Sequence, residues 1–164
     1  MLLVDTSGSM HGEKAALQIY CLTRLLVGLG DVAFPMEPNV TIITFGGQPT
    51  VVSKALLSQT EIPELLAGGE TRLTEAVALA TSLAAPDSLY ILLSDGATSD
   101  GGFVSMCSGL KAYAIGIGFD ADMESLSRFT GSPDRVFGPE EAEYLPGFAM
   151  QVEFEVVLED GNKT

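Results

Sequence analysis

Basic residues are scarce in this chain: 8 lysines and arginines stand against 22 aspartates and glutamates, a formal charge of -14 over 164 residues. No basic cluster interrupts that balance. A nucleic-acid backbone would be repelled over most of such a surface, so nucleic acid is set aside as a partner. Histidine occurs once, at His11, and every imidazole mechanism would rest on that one loop residue. Cys21 and Cys107 lie far apart in apolar or mixed segments and lack zinc-ligand spacing. Buried thiols account for them without a disulfide. No apolar run reaches the length that spans a bilayer, so no membrane role is expected. Neither a phosphate-binding glycine–lysine loop nor a dinucleotide glycine fingerprint is present. Strand-like residues begin at once, with no positively charged leader ahead of them, and a cytoplasmic location is the expectation.

What the chain does have is apolar content, 46 % of its residues, enough for a substantial core in a single domain. We assign that domain to residues 1–150, with residues 151–164 as a C-terminal tail. Short apolar runs alternate with helical periodicity. Strands are predicted at 1–4, 40–45, 50–57, 89–93, 112–117 and 136–137. Helices are predicted from about 11 to 29, at 62–66, 73–84, 103–107 and 122–129. Gly28 and Gly30 serve as the stop of the first. A mixed helical stretch at 140–150 is interrupted by Pro146 and Gly147. The tail alternates at Val152, Phe154 and Val156, which suggests a strand over 152–158. Gly46-Gly47-Gln48-Pro49 permits only a short return, so strand 50–57 should be antiparallel. The first helix carries more apolar residues than one sheet face needs, Ile19, Tyr20 and Val27 among them. Deep burial explains this, or a partner over its outer side.

Three polar points fall at the junctions of these elements. Leu2-Leu3-Val4 stops abruptly in Asp5-Thr6-Ser7-Gly8-Ser9. Gly68-Gly69-Glu70-Thr71 precedes the helix at 73. Leu92-Leu93-Ser94 ends in Asp95-Gly96. A parallel sheet would bring all three to one edge, the edge where ligands bind in open α/β sheets. Short hydroxyls and carboxylates gathered there suit a hard cation such as Mg²⁺ better than zinc.

The pattern Asp-x-Ser-x-Ser, then a separate Thr, then an Asp at a later strand end resembles the metal-ion-dependent adhesion site of von Willebrand factor type A domains. Asp5, Ser7, Ser9, Thr71 and Asp95 match it in order. The resemblance covers most of the chain to about Phe137. It implies a three-layer α/β/α, Rossmann-like fold around a mostly parallel six-stranded sheet in the order 3-2-1-4-5-6, with strand 50–57 as the antiparallel edge. It also implies direct coordination of Mg²⁺, with Mn²⁺ or Ca²⁺ as substitutes, by Ser7, Ser9 and Thr71. Asp5 and Asp95 would act through water. The remaining coordination position would go to an Asp or Glu of a protein partner, and no catalysis is expected. Candidate rim residues are His11, Glu70, Arg72, Thr98 and Asp100. Thr71 has a second possible role, as cap of the helix that follows it.

Similar small bacterial domains serve stress and conflict systems, including those of tellurium resistance. Two other readings stand beside this one. The module could be structural, with its metal site unused. Or it could be a magnesium-dependent aspartyl phosphotransferase with Asp5 as nucleophile. Against the latter, haloacid-dehalogenase-like phosphatases place a second Asp where Ser7 stands. A hydrolase on Ser9 and His11 lacks a third group to orient the base.

Overall fold

An unbroken apolar strand needs cover on both of its faces. Three strands meet that description: β1 (Leu2–Val4), β4 (Leu89–Ser94) and β5 (Lys111–Gly116). In the computed structural model, which describes residues 1–97 and 109–154, they lie side by side and parallel at the centre of one sheet. β2 (Asn39–Thr44) extends the parallel pairing beyond β1, and the short β6 (Val136–Phe137) extends it beyond β5. β3 (Thr50–Leu56) returns antiparallel along β2 as the edge. The strand order is β3-β2-β1-β4-β5-β6, as the resemblance implied.

Strand alternation divides the core in two. Leu2, Val4, Ile91, Leu93, Tyr113 and Ile115 face α1 (Glu13–Gly30) and α4 (Tyr144–Phe154), meeting Cys21, Leu22, Leu25, Leu145 and Ala149. Leu3, Tyr90, Leu92, Ala112 and Ala114 face the other way. They meet Leu73, Ala76, Val77 and Ala80 of α2 (Leu73–Leu83), and Leu126 and Phe129 of α3 (Met123–Thr130). Helices thus cover both faces of a mostly parallel sheet. No helix among the described residues is long and apolar enough to cross a membrane.

The structure departs from the sequence expectations at five places. Gly28 does not stop α1. It lies buried inside the helix, where a Cβ would come 2.2 Å from the backbone oxygen of Glu143, so glycine there lets the segment leading into α4 approach. Residues 62–66 form no helix. Ile62 and Leu65 instead anchor an irregular segment to the core. Pro146 does not interrupt α4, because it falls in the first turn, where its missing N–H has no intrahelical partner. Residues 152–154, expected in a strand, continue α4 as helix. There Glu153 accepts the Tyr113 hydroxyl at 3.0 Å and pairs with Arg135 at 2.6 Å, while Lys111 lies over the Phe154 ring. Lastly, Thr71 does not occupy the N-cap position of α2, which belongs to Arg72. The expected helix at 103–107, with Cys107, and the rest of the tail lie outside the described residues, as do Thr98 and Asp100.

On α1, Ile19, Tyr20 and Val27 are exposed, so burial takes up only part of that helix's apolar excess.

Candidate functional site

β1, β4 and β5 end at the same sheet edge. Their registers align Val4 with Leu93 and Ser94 with Gly116, which brings the turns that follow together. The Asp5 N–H donates to the Leu93 carbonyl at 2.9 Å, and the Asp122 N–H donates to the Asp95 carbonyl at 2.7 Å.

Asp5 is 0 % exposed. Its Oδ1 accepts the Ser7 backbone N–H at 2.9 Å and its Oδ2 accepts the Ser94 hydroxyl at 2.6 Å. Burial pushes its pKa above the ordinary carboxylate value. The hydrogen bonds from Ser7 and Ser94 oppose that shift, and the nearby Asp95 charge adds to it. Asp95 is 4 % exposed. Its Oδ1 accepts the Ala97 N–H at 3.0 Å, and its Oδ2 accepts from the Lys14 ammonium at 3.0 Å.

The third loop joins by backbone contacts. Gly68 N–H donates to the Thr6 carbonyl at 2.7 Å, and Gly8 N–H donates to the Gly69 carbonyl at 3.1 Å. Gly46 N–H donates to Thr6 Oγ1 at 2.9 Å, and Gly46 also bridges to Thr71. Glycine is required at 46, since a Cβ would stand 2.1 Å from the Thr6 carbonyl oxygen. The Ser7 and Ser9 hydroxyls lie 3.2 Å apart. Together with Thr71 they line one open pocket of about 360 Å³, shared with Gly8, Gly69, Glu70 and Ala97. The five residues singled out in the sequence therefore come together: three hydroxyl residues on the pocket wall, and two acids one hydrogen bond behind its lining residues.

Among the rim candidates, Glu70 lines the pocket. His11 is exposed, with Nδ1 2.6 Å from the Gly8 carbonyl oxygen. Arg72 turns to Glu70 and Glu75 at the surface.

Four further residues shape the site without having drawn notice in the sequence: Lys14, Gln18, Ser94 and Asp120. Lys14 and Gln18 are four residues apart on α1, on the helix stripe that continues as Cys21, Leu22 and Leu25. A cation and an amide on an otherwise buried stripe are the signal that could have found them. Gln18 is buried, and its Nε2 donates to the Asp5 carbonyl at 2.9 Å and the Leu93 carbonyl at 3.3 Å.

The donor set is hydroxyl and carboxylate oxygen, which fits a hard divalent cation. Among the described residues no group of three or more His, Cys, Asp or Glu side chains could hold a metal.

An α/β/α sheet with hydroxyls and acids converging at its C-terminal edge defines an open-sheet domain whose candidate site lies at the strand ends, where ligands bind in such sheets. A von Willebrand factor type A domain profile matches residues 1–151, and the chain belongs to that family. Domains of this fold are characteristically protein-interaction modules without catalytic activity. None of the curated proteins matches the chain.

Several solved structures share the fold. An aerotolerance-related membrane protein from Bacteroides fragilis, carrying multiple mutations to serine, is 17% identical with a TM-score of 0.67; the match covers 94% of this chain and 97% of that one. The ArnB paralog VWA2 from Sulfolobus acidocaldarius is 19% identical with a TM-score of 0.66, over 92% of this chain and 43% of that one. Proximal thread matrix protein 1 from the mussel byssus, with a zinc-occupied adhesion motif, is 17% identical with a TM-score of 0.67, over 90% of this chain and 44% of that one. The chain thus spans less than half the length of the latter two.

Proposed function

We propose that this protein recognises another protein through a divalent cation held at the Ser7–Ser9–Thr71 pocket, with Mg²⁺ the natural occupant and Mn²⁺ or Ca²⁺ as substitutes. The observation that carries the reading is the convergence of three hydroxyl residues, from two separate loops, on one open pocket with two buried acids immediately behind. When bound, the cation supplies an electrophilic position for one further oxygen. Ser7, Ser9 and Thr71 are the direct ligands in this reading. They neutralise none of the cation's charge, so an Asp or Glu of the partner suits the remaining position. Asp5 and Asp95 supply the balancing charge from behind. Ser94, the Ser7 amide and the Ala97 amide fix the orientations of the two carboxylates.

Resemblance alone supports the setting: a cytoplasmic bacterial stress or conflict system of the tellurium-resistance kind. Burial of Asp5, with both oxygens already accepting hydrogen bonds, counts against its use as a phosphotransferase nucleophile. A structural role with an unused metal site has one observation in its favour, the Lys14 ion pair that satisfies Asp95 from within.

Magnesium titration of the metal-free chain by calorimetry tests the site. Ser9→Ala and Thr71→Ala are each expected to lower affinity on the order of ten- to a hundredfold. Binding equal to the parent in both variants refutes the ligand set. For the partner, proteins retained on the immobilised chain in magnesium should be released by chelator and absent from a Thr71→Ala column. Retention indifferent to both rejects recognition through this pocket.

A further inference from the structure

Lys14 is the cation bonded to the cluster among the described residues. Its Nζ lies 3.0 Å from Asp95 Oδ2 and 3.0 Å from Asp120 Oδ1. The side chain is held along its length. It leaves the first turn of α1, passes over Gly118 and ends between two acids. A Cβ at Gly118 would come 2.8 Å from Lys14 Cε, and that glycine has φ +94, so the turn after β5 leaves room for the lysine where a side chain would obstruct it. The Asp122 N–H ties the same turn to the Asp95 carbonyl. A lysine, basic in its own right and ion-paired with two carboxylates, is charged at neutral pH.

We propose that Lys14 is a resident counter-cation of the site, which neutralises Asp95 and keeps the affinity for a free divalent ion low until a partner carboxylate is supplied. The inference rests on the metal reading above. Asp5 and Asp95 are the buried carboxylates behind the uncharged hydroxyl ligands, and Asp120 shares the Lys14 ammonium at the surface. With Lys14 seated, one of these three negative charges is already answered. A dication entering beside Asp95 meets a fixed like charge nearby. Near a protein surface, with solvent screening allowed for, such a repulsion is worth about a tenfold factor in binding. A partner carboxylate restores the charge that Lys14 removes. Cation and partner then bind more tightly together than either does alone, and the coupling is reciprocal. Asp120 gives the ammonium a second seat, so drawing Asp95 toward an entering cation does not strand a charge.

The experiment is a calorimetric titration of Mn²⁺ into the metal-free full chain, for the parent, Lys14→Met, Lys14→Gln and Lys14→Arg. Folding of each is checked by thermal melting in chelator. The two neutral variants should bind about tenfold more tightly, and Lys14→Arg should stay near the parent. Acetate serves as a stand-in for the partner carboxylate, and it should tighten Mn²⁺ binding more in the parent than in Lys14→Met. If Lys14→Met does not fold, Lys14→Gln carries both comparisons, since its amide can still donate to Asp95. A parent that binds Mn²⁺ alongside neutral variants of equal or weaker affinity overturns the inference and leaves the metal reading intact. The same holds if acetate acts equally on parent and variant. No binding by any of the proteins removes the metal reading, and this inference with it.

Discussion

One methyl group at residue 46 should disturb the whole site, because Gly46 is where the β2–β3 turn, the Asp5–Ser9 loop and the segment before Thr71 meet. In Gly46→Ala the new Cβ would stand 2.1 Å from the Thr6 carbonyl oxygen, 2.4 Å from its carbon and 2.6 Å from the Gly68 oxygen. All three are backbone atoms, so no rotamer change relieves the contact. The loops must part by roughly 1 Å to reach ordinary contact distance. That displacement strains or breaks the Gly68–Thr6 and Gly46–Thr6 hydrogen bonds. Overpacking of this kind costs about 1–3 kcal/mol, and each lost hydrogen bond about 1 kcal/mol more. The sum is about 3–5 kcal/mol, a fall in Tm of about 10–15 °C for a chain of this size. Urea denaturation in chelator measures it. Gly47→Ala is the comparison: there φ is +80 but nothing lies within 4 Å of a new Cβ. Its cost should be only the left-handed backbone penalty, about 1–2 kcal/mol. If Gly47→Ala proves as damaging as Gly46→Ala, loop contact is not what makes glycine necessary at 46.

Two other outcomes follow from the same coordinates. Gly28→Ala sets two effects against each other. Helix propensity alone predicts a gain of about 1 kcal/mol, whereas a Cβ 2.2 Å from the Glu143 oxygen predicts a net loss of about 1–3 kcal/mol; a stabilised variant in urea denaturation would show that the α1–α4 approach yields freely. The raised pKa of Asp5 gives the metal-free protein a signed pH dependence. The folded state holds the proton more tightly than the unfolded state. The associated stability is therefore fully present below the ordinary carboxylate pKa and is lost as pH rises through the folded value. Denaturation across that window should show the parent losing stability relative to Asp5→Asn as pH rises, and a difference that stays level or grows would contradict the burial argument.

The central strands were legible because burial on both faces leaves unbroken apolar runs, as in Leu2–Val4 and Leu89–Ser94. The site residues were legible for a related reason: acids and hydroxyls directly after such runs have nowhere to go but the sheet edge. Local pattern failed where position within an element mattered more than residue type. Pro146 reads as a breaker until the first residue of α4 is known. Ile62 and Leu65 have helical spacing, yet they anchor a segment that never closes a helical turn. Gly28 reads as a stop because the segment it accommodates lies more than a hundred residues further along the chain. Asp120 was invisible for the same reason. It meets Lys14 across 106 positions, and only the juxtaposition of the α1 start with the β5 end gives it a role.

Gln18 has a mechanical consequence. Its amide engages carbonyls at the ends of two neighbouring strands, Asp5 on β1's side and Leu93 on β4. It thereby acts as a key between helix and sheet. α1 cannot roll about its axis or slide along the strands without disengaging that key and leaving the buried Gln18 amide without its two acceptors. Lys14, one turn earlier, inherits the same angular setting. α1 is thereby a fixed datum behind the loops that carry the site.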